Sequence, residues 1–121
     1  KAVTMAEIAP TDLVLGTGIR RLTWAALDSG DNGLWVNVAD AQEIDVTVEV
    51  EAGGSLTTFA FQGTNSPAGA NPRTLEDTDG TALTALGVYR VKEKVMSIRP
   101  AVTTGVDVTV RALIKSGRGG G

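Results

Sequence analysis

Residues 44–51 read IDVTVEVE, and apolar side chains alternate there with acidic or hydroxyl side chains without a break. Residues 106–112 read VDVTVRA and follow the same period of two. Successive side chains of a β-strand point to opposite faces, so each stretch is predicted to bury one face and to leave the other in water. Most of the apolar positions hold valine or isoleucine, whose branched Cβ suits a pleated surface. These two stretches predict an all-β chain.

Weaker strand patterns fill the rest of the chain, separated by turns rich in Gly, Asn, Asp and Pro. Strands are predicted at 22–27, 34–38, 56–62 and 95–102, and residues 88–94 are expected either to extend the last of these or to form a short hairpin arm. Turns are predicted at 28–30, 31–33, 52–54, 63–73, 77–80 and 103–105. Pro100 indicates an edge strand or a bulge, because proline cannot donate to the ladder. Short strands at this spacing favour a jelly-roll-like antiparallel β-sandwich.

The length of 121 residues predicts one domain. We assign residues 16–115 to the β-sandwich domain, 1–15 to an N-terminal arm and 116–121 to a flexible Gly-rich tail. The arm and the tail are the segments expected to reach neighbouring subunits. No basic stretch followed by an apolar run is visible at the N-terminus, so no signal peptide is predicted.

Charge is unevenly distributed along the chain. Residues 1–80 contain 4 basic and 12 acidic side chains, whereas residues 81–121 contain 7 basic and 2 acidic ones. Unlike charges in the two parts could pair across neighbouring strands, or attract a second subunit. The net charge of −3 gives no nucleic-acid footprint. No apolar run reaches the ~20 residues of a membrane helix, so neither a nucleic acid nor a membrane is an expected partner.

The chain contains no His and no Cys. Cys/His zinc sites and the usual nucleophile–base pairs are therefore excluded, and no Ser-x-x-Lys spacing occurs. A carboxylate pair stays open, with Asp77 and Asp79 or Asp45 and Glu49 as candidates, although a solvated surface is the favoured interpretation. No enzyme, cofactor or metal site is predicted.

Residues 76–80 read EDTDG and resemble part of a calcium loop. The acids that such a loop requires at two further places are replaced by Leu75 and Leu86. A turn in which Asp side chains accept hydrogen bonds from nearby backbone is the favoured interpretation.

Aromatic residues are few, at 4% of the chain. Trp24, Trp35 and Tyr89 could form a sugar-stacking platform, but both tryptophans lie inside apolar strand patterns, which favours packing in a core or an interface. Arg99 lies in an otherwise apolar strand and is expected to pair with an acid nearby or across an interface.

Five segments resemble a known family of proteins. They are FAFQGTN at 59–65, RTLED at 73–77, GTALT at 80–84, IRPAV at 98–102 and VTV at 108–110. In this order they resemble the head decoration (cement) proteins of tailed bacteriophages, with a Bordetella-type podovirus as one candidate source. Arg73 departs from the family pattern, in which an aromatic residue precedes the Thr-Leu pair.

The resemblance implies a structural virion protein on the outer surface of an icosahedral capsid. It implies that the chain binds the major capsid protein and itself, as a homodimer or homotrimer, and it brings no catalytic residues. The alternative hypothesis is a glycan-binding module or a fibre-tip or tail structural protein. The interface candidates are Lys1, Ala2, Val3, Met5, Ile8, Trp24, Trp35, Arg99 and Arg118.

Overall fold

The computed structural model describes residues 7–65, 71–92 and 95–116. All of its regular elements within these ranges are strands, which confirms the all-β prediction. In chain order they are β1 (Glu7–Ile8), β2 (Thr11–Gly16), β3 (Ile19–Leu27), β4 (Asn32–Gly33), β5 (Val36–Asn37), β6 (Ala41–Thr64), β7 (Arg73–Thr74), β8 (Gly87–Arg90) and β9 (Ser97–Ser116).

The two alternating stretches lie opposite each other in the long strands β6 and β9. The antiparallel register places Val46 beside Ala112 and Val48 beside Val110, and all four side chains are buried. The prediction of two strands that bury one face is therefore confirmed, except that Thr109, expected on the water-facing side, is also buried and donates to the Glu51 carboxylate at 3.1 Å. Apolar side chains matched on the paired strands make a cross-strand contact at every second position, which stabilises the pair.

The predicted turns at 52–54 and 103–105 are wrong, because β6 and β9 continue through both segments. The pairing instead shifts register between Val50 and Ser55, and Gly53 has a φ of 85°. Extra residues in a paired strand form bulges, which bend the strand without reversing it. Val106 lies at this bend and is 47% exposed, so the inward position predicted for it is also wrong.

The bend divides one curled sheet into two halves. The first half consists of β2, β3 and β8 with residues 41–50 of β6 and 108–116 of β9. The second half consists of β1, β4, β5 and β7 with residues 55–64 of β6 and 97–106 of β9. The Trp24 ring of the first half contacts the Phe61 ring of the second edge to face, with centroids 6.3 Å apart. The halves therefore face each other, as the jelly-roll-like prediction requires.

Apolar side chains from both halves form a single core. Its buried members are Leu22, Trp24, Leu27, Val38, Ile44, Val46, Val48, Phe59, Phe61, Leu75, Leu83, Val91, Ile98, Val102, Val108, Val110, Ala112 and Ile114. Ile, Leu and Val dominate this set, as the low aromatic content indicates.

Pro100 lies in an inner strand, so the edge position considered for it is wrong. β9 pairs with β6 on one side, where Pro100 faces Phe61. On its other side β9 pairs with β4 at Ala101 and with β5 at Ile98. Pro100 therefore occupies the gap between two short strands, where its missing N–H interrupts no ladder.

Of the segment predicted as one strand at 34–38, only Val36–Asn37 forms a strand, β5. Asn32–Gly33, expected in a turn, pairs with β1 and β9, and Leu34 and Trp35 lie between the strands. β8 at Gly87–Arg90 pairs with residues 45–48 of β6, so it neither extends the strand predicted at 95–102 nor forms a hairpin with a strand next to it in the chain.

A loop of the first half holds the bend of β9 in place. The Ser29 hydroxyl donates to the Gly105 carbonyl at 3.1 Å and accepts from the Gly105 N–H at 3.0 Å. Asp28 accepts from the backbone N–H of Asp107, which has a φ of 51°. These bonds satisfy backbone groups that the interrupted ladder leaves unpaired.

We expect Ser29→Ala to lower the free energy of unfolding by about 1–2 kcal/mol, because two backbone groups of Gly105 lose their partner. Urea titration followed by circular dichroism measures this loss. Ser55→Ala is the matched control, since the exposed Ser55 hydroxyl has no hydrogen bond to the described residues. Equal losses in both variants would contradict the role of Ser29 at the bend.

Candidate functional site

Trp24 is a core residue, which corrects its assignment to an interface. Its side chain is 0% exposed and packs on Phe61, and its indole N–H donates to the Leu34 carbonyl at 3.4 Å. The reason is positional: Trp24 lies on the same face of β3 as the buried Leu22. The indole is therefore not available to another protein or to a sugar.

Trp35 and Arg99 form a stacked pair at the surface of the second half. Both residues are half-buried, and the guanidinium carbon of Arg99 lies 4.5 Å from the centroid of the Trp35 ring. Arg99 also donates from Nε to the Gln62 side-chain oxygen at 2.9 Å. Because Arg99 covers one face of Trp35 and Trp24 is buried, the glycan-binding hypothesis loses the exposed aromatic pair that it needs.

Arg99 does not form the ion pair with a nearby acid that the sequence predicts, within the described residues. Burial lowers the pKa of its guanidinium, and the charge of Glu7 partly offsets that effect. Gln62 and the Trp35 ring, both uncharged, are its direct contacts. The apolar strand pattern around Arg99 does not reveal that Gln62 and Trp35 would contact its guanidinium instead of an acidic side chain.

Ile8 is half-buried and packs against the core. Its carbonyl accepts from the Leu34 N–H at 2.8 Å, and β1 pairs with β4 in parallel. The described part of the segment predicted as an arm thus lies in the sheet, as β1 and β2. The candidates Lys1, Ala2, Val3, Met5 and Arg118 lie outside the described residues.

The edge of the sheet at β2 is a surface that the sequence-based prediction missed. All six residues of Thr11–Gly16 are exposed, and the strand pairs only with β3 among the described strands. Leu13, Val14 and Leu15 are exposed by 46%, 73% and 50%. We name Thr11–Gly16 the β2 edge. The sequence signal for this surface is the run of three apolar residues at 13–15, which do not alternate with polar residues.

The β2 edge is unlike the edges that soluble proteins usually present. Free strand edges are normally protected by lysine, proline or a very short strand. Thr11–Gly16 contains neither lysine nor proline, and its one charged residue, Asp12, is held by Arg20 at 3.1 Å. A shallow depression of about 260 Å³ lies beside it, lined in part by Val14, Ile19 and Asp40.

β8 forms the other edge of the first half of the sheet. Val88 is 76% exposed, and the preceding Leu86 is 49% exposed. β8 pairs only with β6 among the described strands. The same half of the sheet therefore ends in exposed apolar side chains on both sides.

Several ion pairs within the chain join acidic side chains of its first part to basic side chains of its last part. Arg90 contacts Asp45 at 2.8 Å, and this hydrogen bond and charge raise the pKa of the Arg90 guanidinium. Arg111 contacts Glu49 at 2.7 Å. Further pairs join Arg90 and Lys115 to Glu43 and Lys92 to Glu76. Acidic side chains of β6 thus meet basic ones of β8 and β9, which confirms pairing across neighbouring strands.

These pairs also occupy the carboxylates considered for catalysis. Asp45 and Glu49 each hold an arginine on the water-facing side of β6. Asp77 accepts from the backbone N–H groups of Asp79 and Thr81, both at 2.9 Å, which confirms the predicted turn at this position. Across the described ranges, no group of three or more acidic side chains is placed to hold a metal ion.

No helix long and apolar enough to cross a membrane is found in the described parts of the chain.

Comparison with solved structures supports the fold. A cupin domain from Bordetella pertussis Tohama I superposes with a TM-score of 0.52 and 14% sequence identity, covering 95% of this chain and 100% of that one. YomS, a protein derived from the SPBc2 prophage, superposes with a TM-score of 0.60 and 19% identity, covering 85% of this chain and 99% of that one. No protein-family model and no curated protein sequence matches the chain. At these identities the likeness concerns the fold.

Proposed function

We propose that this chain is a structural component of a phage particle that acts by packing against other protein subunits. The β2 edge carries the proposal, because no described strand pairs with its outer side and its leucine and valine side chains are exposed. The likeness to a prophage-derived protein supports the phage context. The finer proposal is decoration of an icosahedral capsid, with the chain on the outer surface bridging major capsid subunits.

A strand edge specifies the kind of contact that it makes. The outward backbone N–H and C=O groups of β2 can accept another extended strand, and its apolar side chains can then be covered by the partner. Three partly exposed apolar side chains form a small contact, so each site is expected to bind weakly.

Weak sites suit a decorating subunit. A chain that binds only the assembled shell stabilises it by RT ln(1 + [L]/Kd) per site. Many sites on a symmetric shell add their contributions, and a subunit that reaches two neighbours gains from avidity. We propose the major capsid protein and a second copy of this chain as the partners, and no catalytic step is part of the proposal.

We expect Val14→Lys to lower the occupancy of particles at least about tenfold, because a lysine would have to be desolvated in the contact. The free energy of unfolding of this variant should stay within about 0.5 kcal/mol of the wild-type value, since Val14 is exposed. Sedimentation of purified particles with added chain measures occupancy. Val88→Lys is the matched control, as it lies on the opposite edge with 76% exposure against 73%. Equal loss in both variants would contradict a role specific to the β2 edge.

Cryo-electron microscopy of purified virions tests the location. Density for this fold in many copies on the outside of the head is the expected result. Density confined to the tail or a fibre would replace capsid decoration by the tail hypothesis, and absence of the chain from virions would contradict both.

A further inference from the structure

The Trp35–Arg99 surface holds an arginine in a fixed orientation. The guanidinium carbon of Arg99 lies over the Trp35 ring, 4.5 Å from its centroid, and Trp35 directly precedes β5 in the chain. The bond from Nε to the Gln62 side-chain oxygen at 2.9 Å restrains the guanidinium at a second point. An arginine restrained in this way loses little further side-chain entropy when it binds a ligand.

The fixed guanidinium has donors left over. Nε is the nitrogen used by Gln62, whereas Nη1 and Nη2 have no hydrogen bond or ion pair with the described residues. These two nitrogens carry four N–H groups in one plane, the pattern that matches the two oxygens of a carboxylate. Partial burial removes water from the charge without supplying a partner anion.

Three other arginines of the chain, unlike Arg99, have acidic partners. Arg20, Arg90 and Arg111 each hold a carboxylate, at 3.1, 2.8 and 2.7 Å respectively. Arg90 is the more exposed of these groups and still has two acidic partners. Arg99 is oriented by uncharged neighbours and has no acid within ion-pair distance in the described ranges, so the described part of the chain supplies no counter-ion for it.

We propose that the Trp35–Arg99 surface binds a carboxylate of a protein partner, taken in a two-point contact by Nη1 and Nη2 of Arg99. A singly charged carboxylate fits better than a nucleic-acid backbone, because Glu7 lies close enough to act on Arg99 and the chain has a net charge of −3. Arginine and tryptophan are also the residues that most often dominate protein interfaces. The inference rests on the proposed function for the claim that the carboxylate belongs to a protein.

Titration of the free chain with a hexaglutamate peptide tests the site, with the Arg99 Nε–Hε resonance and Trp35 fluorescence as readouts. Saturable changes in both are expected, and none with hexaglutamine. Arg99→Lys keeps the charge but loses the planar pair of donors, so its affinity should fall at least about tenfold. Arg73→Gln is the matched control, because Arg73 is an exposed arginine of the same half of the sheet without a described partner.

Three results would overturn the carboxylate site. They are no saturation by hexaglutamate, equal affinity of wild type and Arg99→Lys, and tighter binding of an oligothymidylate than of hexaglutamate at the same ionic strength. Backbone spectra of the variants should match the wild type, which shows that they fold. Failure here leaves particle binding through the β2 edge intact, and absence of the chain from virions leaves hexaglutamate binding intact, so the two proposals fail separately.

Discussion

Trp24→Ala is expected to lower the free energy of unfolding by about 3–5 kcal/mol, the usual cost of removing a large aromatic side chain from a core. The side chain is 0% exposed and contacts Phe61 from the opposite half of the sheet. The substitution therefore removes apolar contact from both faces of the core and leaves a cavity that a β-sheet framework cannot easily close. Urea unfolding followed by far-ultraviolet circular dichroism measures the loss.

Trp35→Ala is the control for the size of the side chain. Trp35 is half-buried and stacks on Arg99 at the surface, so its loss is expected to cost about 1 kcal/mol, much less than that of Trp24. A Trp24→Ala variant as stable as Trp35→Ala would contradict the central place of Trp24 in the core. Trp24→Phe should recover part of the loss, because an aromatic contact with Phe61 is kept.

Gly33→Ala is expected to destabilise the fold by about 2–3 kcal/mol. A Cβ at this position would lie 2.4 Å from Cδ of Pro100 and 2.6 Å from two atoms of the Trp24 ring. Both neighbours are buried and rigid, so the strand itself would have to shift, and overpacking of this kind usually costs 1–3 kcal/mol. Thermal unfolding and urea titration both measure the effect.

Gly16→Ala separates this steric effect from the general effect of replacing a glycine. Nothing lies within 4 Å of a Cβ at Gly16, and no left-handed φ is found there or at Gly33. The control should leave the free energy of unfolding unchanged or raise it by up to about 1 kcal/mol, because alanine lowers the conformational entropy of the unfolded chain. If Gly33→Ala behaved like Gly16→Ala, the close packing of β4 on Trp24 would be disproved.

Local sequence patterns are sufficient to predict one central strand and one turn of this chain. Alternation at 44–51 predicts a strand because period two has a single structural meaning, and cross-strand pairing then follows from matching faces. The turn at Asp77 is equally local, since its side chain bonds to backbone two and four residues later. In contrast, Gly53 and Gly105 were assigned to chain reversals, and the same residues serve a bend inside a continuing strand.

The candidate site was harder to predict than the fold. The sequence indicates Arg99 and Trp35 as separate interface candidates. Their contact depends on the pairing of β5 with β9, which places residue 36 opposite residue 98. The β2 edge was placed in an arm, because three exposed apolar residues in succession give no periodic signal. Its exposure is a property of the strand order, in which β2 comes last.

The sequence by itself determined that this chain is all-β, that its core is mainly aliphatic, and that it has no histidine or cysteine chemistry. These properties follow from side-chain type and from a period of two, both of which are local. Only the tertiary structure decided that Trp24 is interior, that the Arg99 guanidinium lies over the Trp35 ring, and that the leucines and valine of β2 face water. Burial depends on which strands become neighbours, and that depends on contacts between residues far apart along the chain.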